Sequence, residues 1–463
     1  MKLKLNKFIG DRAFYKNVLA IALPLMIQNA VTNFVNLLDN IMVGALNTEA
    51  MSGVSIVNQF IFIFNITVFG AIAGAGIYTS QFHGRGDTEG VRGTFRLKLI
   101  FNLIIGALGV LVFLTLGDSL ISSFLHEGTE GDLTLTRRLG NEYLSYAVIG
   151  LIPFALTQAY SSTLRETGET VVPMVSSIVS VLTNCVLNAI LIFGLLGFPA
   201  LGVVGAAIAT VVSRFAELAV LVIWTHTHCS KYTFIKGALS SPKVPLPLFR
   251  GVVIKTMPML ANELLWSLAV TMRNQCFSTR GLDVVAATTI SSTIINLLTV
   301  AYMAIAISVG IIVGKELGAG EIERAKDTCR KLLTLAFIMG AVIGIAQAVF
   351  APVFPLMYNT TDGVRSMATA LMLISAAFTP FNAVSMASYF TLRAGGRVII
   401  AALSDSVYAW GAIMSVLLIL THLTGAGIMT LFTVAAFIEA LKCPIGILIL
   451  SKVKWAKQLV IKD

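Results

Sequence analysis

Charged side chains are scarce in this sequence. Only 12% of the 463 residues are Asp, Glu, Lys or Arg, whereas 56% are hydrophobic. A soluble chain of this length carries about twice that charged fraction, so the composition excludes an ordinary soluble protein. The apolar runs reach the roughly 20 residues that a helix needs to cross a hydrocarbon core. The sequence therefore predicts an integral membrane protein.

Several functional motifs are also missing. No GxxxxGK[ST] sequence is present, which argues against nucleotide-driven pumping by this chain. The five histidines lack HExxH spacing, and the five cysteines form no CxxC pair. We therefore expect no enzyme activity, no disulfide framework, no cofactor and no certain metal site.

The sequence repeats itself. Residues 24–96 align without a gap on residues 258–330, at a constant offset of 234. The identical positions include Pro24 and Pro258, Asn40 and Asn274, Gly84 and Gly318, and Arg96 and Arg330. Internal duplication in an apolar chain is typical of membrane transporters that have a central site between their halves.

Twelve apolar runs can be counted, centred near residues 30, 67, 110, 152, 183, 214, 266, 300, 342, 379, 409 and 439. Six runs per half is an even number, so both halves begin on the same side of the membrane. We predict an all-α integral membrane protein with twelve transmembrane helices in two six-helix lobes, related by a pseudo-twofold axis along the membrane normal. The predicted lobes are residues 1–228 and 251–463, joined by a cytoplasmic linker at 229–250.

The orientation follows from the basic residues. Most of the 33 lysines and arginines lie in the loops that face the cytoplasm if the N-terminus is inside. We expect a multi-pass protein of the plasma membrane with both termini cytoplasmic. The net charge of +10 reflects this bias and attraction to anionic lipid headgroups, so we do not expect nucleic-acid binding.

Asp39 is an acid within an apolar helix, and Arg273 occupies the equivalent position of the second repeat. An ionised carboxylate costs several kcal/mol in such surroundings, so it pairs, binds a cation or stays protonated. A proton or sodium ion displaced from Asp39 by a cationic substrate would be a minimal antiport device. The alternative is a structural ion pair or a hydrogen-bonded carboxylate.

Nearby residues extend this hypothesis. Pro24 removes a backbone hydrogen bond and predicts a kink in the first helix, as Pro258 does in the seventh. Gln28 falls on nearly the same helical face as Asp39, where it would line a polar cavity or bond a neighbouring helix. Asn184 and Asn188 are one turn apart on the fifth helix, a spacing that suits sodium coordination or a hydrogen bond to protonated Asp39.

The seventh helix carries the polar set of the second half. Four alternatives are open for Arg273: a pair with Asp39, a pair with Glu263, reception of an anionic substrate group, or snorkelling toward the external surface. We expect the set to line a substrate cavity. Its members are Asn262, Glu263, Trp266, Arg273 and Asn274.

Three further acids are predicted to have structural roles. Glu217 and Glu439 are expected near cytoplasmic helix ends, with Arg214 three residues before the first as a pairing partner. Asp405 is expected to contact Arg393 or Arg397.

The motifs together resemble the multidrug and toxic compound extrusion (MATE) family. Those that carry the resemblance are LLDNIMVGALNTEAMSGVS after Pro24, QFHGRGDTEGVR, STLRETGET, TNCVLNAILIFG, GVVGAAIATVVS and TLRAGGR. The resemblance implies a two-lobe antiporter that exports organic compounds, often cationic, on a sodium or proton gradient. Asp39 resembles the first-helix acid of the DinF-related branch, where the position of Asn188 is often an aspartate. Tyr143 resembles a family tyrosine near this cluster, with an interfacial aromatic anchor as the alternative.

We therefore expect an efflux antiporter, coupled to protons or to sodium bound at Asp39, with organic cations and membrane lipid as partners. A monomer is expected. One rival is a flippase of the same broad fold for lipids or lipid-linked oligosaccharides, which Arg273 would favour. A membrane-embedded enzyme would need a catalytic constellation that the sequence does not contain.

Overall fold

The computed structural model describes residues 8–125, 132–240 and 243–460. Within these residues the chain is helical, has no strand, and forms twelve long helical segments. A helix satisfies its own backbone N–H and C=O groups, as lipid surroundings require. All twelve predicted centres fall inside these helices, so the predicted fold class is confirmed. The helices are α1 (Arg12–Gly44), α2 (Thr48–Arg85), α3 (Thr88–Ser122), α4 (Leu133–Glu166), α5 (Val171–Phe193), α6 (Gly202–Thr227), α7 (Leu246–Ser278), α8 (Leu282–Gly318), α9 (Ile322–Phe350), α10 (Asp362–Ala394), α11 (Val398–Leu423) and α12 (Ile428–Lys452).

Eleven of the described helices are long and apolar enough to cross a membrane. The other is α7, whose 33 residues include Asn262, Glu263 and Arg273. These polar residues lower its hydropathy, although its length of roughly 50 Å exceeds the hydrocarbon core of about 30 Å. We therefore count α7 as the twelfth span.

Equivalent turns link the second and third helices of each half. Gly86 and Gly320 both adopt the left-handed conformation, with φ of 77° and 81°. Glycine adopts this conformation without the steric penalty of a Cβ atom. Asp87 then caps α3 by accepting a hydrogen bond from the Gly90 N–H at 2.9 Å.

The described chain divides into two compact units. The N-unit contains residues 27–79 and 87–260, and the C-unit contains residues 8–26, 80–86 and 261–460. The chain passes from one unit to the other within α1, after Met26, and within α7, after Leu260. These two points are themselves separated by the repeat offset of 234. Each lies two residues after a proline, Pro24 or Pro258, that sits inside the helix.

The repeat is visible in the C-unit where α2 and α8 end. A Cβ atom on Gly84 would lie 1.9 Å from the Lys315 carbonyl oxygen, and one on Gly318 would lie 1.9 Å from the Gln81 carbonyl oxygen. Gly84 and Gly318 are equivalent in the repeat, as are Gln81 and Lys315. The two helix ends therefore cross reciprocally, and only glycine allows so close an approach.

Two helices depart from regular geometry. α4 consists of Leu133–Ala147 and Leu151–Glu166, joined by a 3₁₀ turn at Val148–Gly150. α11 widens into π-helical turns over Leu403–Val407 and Ala409–Met414. Such turns occur frequently at functional sites, and here they carry Asp405 and Ser406.

Candidate substrate and ion-coupling sites

Asp39 on α1 lies against α5 in the N-unit. Asn188 Nδ2 donates a hydrogen bond to Asp39 Oδ1 and a second one to Asn184 Oδ1, at 3.2 Å. Both asparagines are buried, whereas Asp39 is partly buried. Of the two amides, only Asn188 bonds the acid among the described residues, and it does so as a donor, whereas Asn184 is reached through Asn188.

A second chain of hydrogen bonds runs from α1 through α5 to α6. Gln28 Nε2 donates to Ser177 Oγ at 2.8 Å, and Ser177 Oγ donates to Glu217 Oε1 at 2.8 Å. The Arg214 guanidinium lies 3.8 Å from Glu217, as the spacing of these two residues predicts. Gln28 thus bonds a neighbouring helix, which was one of its two alternatives.

Tyr143 on α4 is buried at 5% exposure, so it is not an anchor at the membrane surface. Its hydroxyl lies within hydrogen-bonding reach of Thr210. Thr210 Oγ1 in turn accepts a hydrogen bond from Asn184 Nδ2 at 3.4 Å. Tyr143 therefore joins the amide cluster through Thr210.

Two amide oxygens of this region have no partner among the described residues. Asn188 Oδ1 and Gln28 Oε1 are both buried and accept no hydrogen bond from any residue that the structure describes. A buried acceptor without a donor is destabilising by about 1–3 kcal/mol. Both oxygens are thus suited to a proton donor or a cation that enters the site.

In the C-unit, Asn262 on α7 connects three helices. Its Nδ2 donates to the Tyr389 hydroxyl at 3.0 Å on α10 and to Asp405 Oδ2 at 3.1 Å on α11. Its backbone carbonyl accepts a hydrogen bond from Ser406 Oγ at 2.8 Å. The π-helical turns of α11 let the consecutive residues Asp405 and Ser406 both reach α7.

Trp266 lines a cavity of about 80 Å³ next to this network. Asp405, Glu439 and Lys442 also line it, and Lys442 Nζ donates to Asp405 Oδ1 at 2.9 Å. Asn274 is exposed, and Glu263 is partly buried. The Arg393 guanidinium stacks over the Tyr389 ring at 5.3 Å. Charged groups of both signs therefore surround the cavity.

Arg273 has a partner that the sequence did not predict. Its guanidinium lies 3.4 Å from Glu439 on α12, a partner that was not among the four alternatives, so the suggested pair with Glu263 is not the one observed. Both side chains are about one-third exposed. Glu439 lies near the middle of α12 and Glu217 is well inside α6, which corrects their expected place at cytoplasmic helix ends.

The partner predicted for Asp405 is also wrong. Asp405 pairs with Lys442 and Asn262, whereas the Arg397 guanidinium donates to the Lys454 carbonyl oxygen. The extra residues in the π-helical turns change which side chains face α7 and α12, and a regular helical period cannot anticipate this change.

Sequence reasoning missed Ser177, Thr210, Tyr389 and Lys442 as members of these networks. One signal for Ser177 was available, because Ser177, Ser180, Asn184 and Asn188 recur at intervals of three and four residues. This spacing places a polar stripe along one face of α5. Among the residues that the structure describes, no three His, Cys, Asp or Glu side chains form a potential metal cluster.

Known proteins are similar to this chain over most of its length. The MatE family model matches residues 24–190 and 258–421, which correspond to the two repeats. The probable multidrug resistance protein NorM of Thermotoga maritima is 24% identical over 419 residues, covering 89% of this chain and 87% of that protein. The probable multidrug resistance protein YoeA of Bacillus subtilis is 26% identical, covering 87% of this chain and 86% of that protein.

The fold is also similar to solved structures. One is described as the outward-facing conformation of a multidrug resistance MATE family transporter of the MOP superfamily. It superposes with a TM-score of 0.85 at 20% identity and covers 96% of each chain. The duplicated sequence, the twelve helices and the match of both halves to the family model lead to one conclusion: this chain is a multi-pass membrane protein that belongs to the MatE (MATE) family of transporters.

Proposed function

We propose that this protein is a proton-coupled antiporter that exports organic cations from the cytoplasm by alternating access. The observation that carries the proposal is the Asp39 site, where one carboxylate oxygen accepts from Asn188 and a buried amide oxygen has no partner in the described part of the chain. Asp39 Oδ2 accepts no hydrogen bond from the described residues, so it is available for a proton. A cationic substrate that favours the ionised carboxylate would displace this proton.

The arrangement of Asn188 supports a proton in preference to sodium. The amide presents its N–H₂ group to Asp39, which suits a carboxylate and repels a metal cation. Sodium held between the two side chains would require the amide to rotate. A proton on the other carboxylate oxygen requires no rearrangement. Sodium stays the alternative coupling ion.

Alternating access requires helices that bend at defined points. α1 and α7 pass between the compact units two residues after Pro24 and Pro258. A proline lacks the N–H of a regular helix, so bending there breaks no hydrogen bond at that residue. We propose that these prolines act as the kinks at which the helices change shape during transport.

The names of the relatives suggest the substrate class. NorM of Thermotoga maritima and YoeA of Bacillus subtilis are both described as probable multidrug resistance proteins. We extend this role to the present chain as export of several kinds of organic cation. We further propose that both termini lie in the cytoplasm, which the distribution of basic residues supports. We also propose a monomer in the plasma membrane.

A flippase for lipids or lipid-linked oligosaccharides is the second candidate, and one observation disfavours it. Such a protein needs a free cationic group to receive the anionic phosphate. Arg273, which was the candidate for this role, is paired with Glu439 in the C-unit. The pair would have to break before Arg273 received a phosphate.

The proposal is tested by efflux from proteoliposomes. The purified protein would be reconstituted into liposomes, and the liposomes would be loaded with the fluorescent cation ethidium. A pH gradient and a sodium gradient would then be imposed in separate experiments. We expect transport driven by the pH gradient and little transport driven by sodium. Transport driven only by sodium would identify the other ion, and absence of ethidium transport under both gradients would contradict the proposal.

A further inference from the structure

A large cavity lies in the C-unit, apart from the smaller cavity beside Trp266. Its volume is about 1060 Å³, and it is bounded by α9, α10, α12, the residues that follow α12, and Phe8 before α1. This volume matches the upper end of the range for small-molecule sites, about 300–1000 Å³. Neither the coupling site nor the proposed substrate residues line it.

The cavity wall is apolar along most of its length and basic at one end. The apolar residues include Leu333, Phe337, Phe381, Val384, Ile447 and Leu450. The basic residues are Lys326, Arg330, Lys452 and Lys454, and the described lining contains no Asp or Glu. The ion pair of Lys326 with the exposed Glu323 is of the kind that contributes little in water. This division suits a ligand with an anionic head and an apolar tail.

The first repeat shows what the equivalent basic residues bind. Arg92 and Arg96 are the repeat equivalents of Lys326 and Arg330. Arg92 Nε donates to the Phe234 carbonyl oxygen at 3.2 Å, and Arg96 donates to the carbonyl oxygens of Gly237 and Ala238 at 2.7 and 2.9 Å. In the N-unit, backbone oxygens therefore satisfy these two positions.

In the C-unit, no such bonds to backbone oxygens are found among the described residues. Neither the Lys326 ammonium nor the Arg330 guanidinium donates to a backbone carbonyl oxygen of the described residues. Phe95, which is fully buried against Tyr160 and Phe234, is replaced by Cys329 in the second repeat. The smaller side chain leaves space where the first repeat has an aromatic ring.

The mouth of the cavity is held in place by its own contacts. The Arg397 guanidinium donates two hydrogen bonds to the Lys454 carbonyl oxygen, at 2.9 and 3.1 Å. Trp455 is buried, and its Nε1 donates to the Leu450 carbonyl oxygen at 3.0 Å. These contacts hold the segment after α12 against the C-unit.

We propose that this cavity is a binding site for an anionic phospholipid. The phosphate binds Lys326 and Arg330, as the carbonyl oxygens of residues 234–238 bind Arg92 and Arg96 in the first repeat. One acyl chain lies along the apolar wall. Basic pockets between transmembrane helices are a known form of recognition for anionic headgroups. A lipid is favoured over free phosphate because its acyl chain can pack along the apolar wall. The proton-antiport proposal is independent of this site.

Native mass spectrometry of the full-length protein in detergent tests the site. Dioleoylphosphatidylglycerol and dioleoylphosphatidylcholine would be added in equal amounts. We expect one retained phosphatidylglycerol, and K326Q/R330Q should lower its retention at least about tenfold because two cationic contacts are lost. The matched control, R324Q/K331Q, removes the same charge from α9 outside the cavity lining and should retain the lipid.

Two further arms separate the alternatives. I447W should fill the space along the apolar wall without a change of charge, and it should also lower the retention of phosphatidylglycerol. The thermal stability of the wild type should rise with phosphatidylglycerol and not with inorganic phosphate. Equal retention by wild type and K326Q/R330Q would overturn the proposal, as would full stabilisation by inorganic phosphate alone. If the variants fold poorly, the wild-type comparison of phosphatidylglycerol with inorganic phosphate decides, because it needs no substitution.

Discussion

Asn188 donates its side-chain amide hydrogen bond to the carboxylate of Asp39, and through the same nitrogen it reaches Asn184. One amide thereby joins α1 to the polar stripe of α5. The contact holds one carboxylate oxygen as an acceptor and leaves the other for a proton. Position 188 thus carries a neutral donor in this chain.

Removing this donor should impair coupling. Asn188→Leu keeps a similar volume but deprives Asp39 of a hydrogen bond, and bonds to charged groups contribute about 1.5–3 kcal/mol. We expect the ethidium efflux rate under a pH gradient to fall roughly tenfold to hundredfold. Asn296→Leu changes an exposed asparagine of α8 in the same way and should leave the rate unchanged. An unchanged rate in Asn188→Leu, with normal folding, would mean that the bond has no role in coupling.

The pair of Asp405 and Lys442 is suited to a double-mutant cycle. Their side chains are only 16% and 11% exposed, so removing one partner leaves a mostly buried charge. Asp405→Asn and Lys442→Met should each destabilise the protein by about 3–5 kcal/mol. The double variant should lose less than the sum of the two, measured by chemical unfolding in detergent. Additive losses would show that the two groups do not interact.

The amino-acid sequence was sufficient to predict the twelve helices, the repeat and the meeting of Asp39 with the amides of α5. Each depends on local spacing, on hydropathy or on the internal alignment, although of the two amides only Asn188 bonds Asp39 among the described residues. The partners of Arg273 and Asp405 were not predictable in this way. The Arg273 pair depends on the depth of Glu439, and the Asp405 pair depends on the π-helical turns of α11. Neither the depth of Glu439 nor the position of the π-helical turns can be derived from a regular helical period.

The reciprocal crossing of α2 and α8 gives a stability prediction. Gly84→Ala would place a Cβ atom 1.9 Å from the Lys315 carbonyl oxygen, so the helix ends must separate. We expect a loss of about 1–3 kcal/mol from this overpacking, seen as a lower thermal midpoint in detergent. Gly363→Ala, where the nearest neighbouring atom is 3.9 Å away, is the control and should not lower the midpoint. Equal midpoints for both variants would refute the close crossing.

A cluster outside the membrane spans predicts a pH dependence. Burial opposes ionisation of Glu169, but hydrogen bonds from Lys231 at 2.6 Å and Tyr232 at 3.0 Å outweigh it and hold the Glu169 pKa below its ordinary value. The stabilisation is therefore complete above the ordinary pKa of about 4.3 and is lost as pH falls through the lowered value.

Glu169→Gln tests this dependence. The variant should have a lower thermal midpoint than wild type at pH 7, and the difference should disappear near pH 3. Asp283→Asn, at an exposed carboxylate in the first turn of α8, should show no difference at either pH. A gap between Glu169→Gln and wild type that is as large at pH 3 as at pH 7 would contradict the assignment.

The central claim is that a cationic substrate displaces a proton from Asp39. The most direct measurement is proton release into weakly buffered detergent solution when tetraphenylphosphonium binds to the purified protein, followed with a pH indicator between pH 5 and 8. Wild type should release protons over part of this range, and Asp39→Asn should release none, whereas Asp283→Asn should behave as wild type. Equal proton release by wild type and Asp39→Asn would contradict the claim.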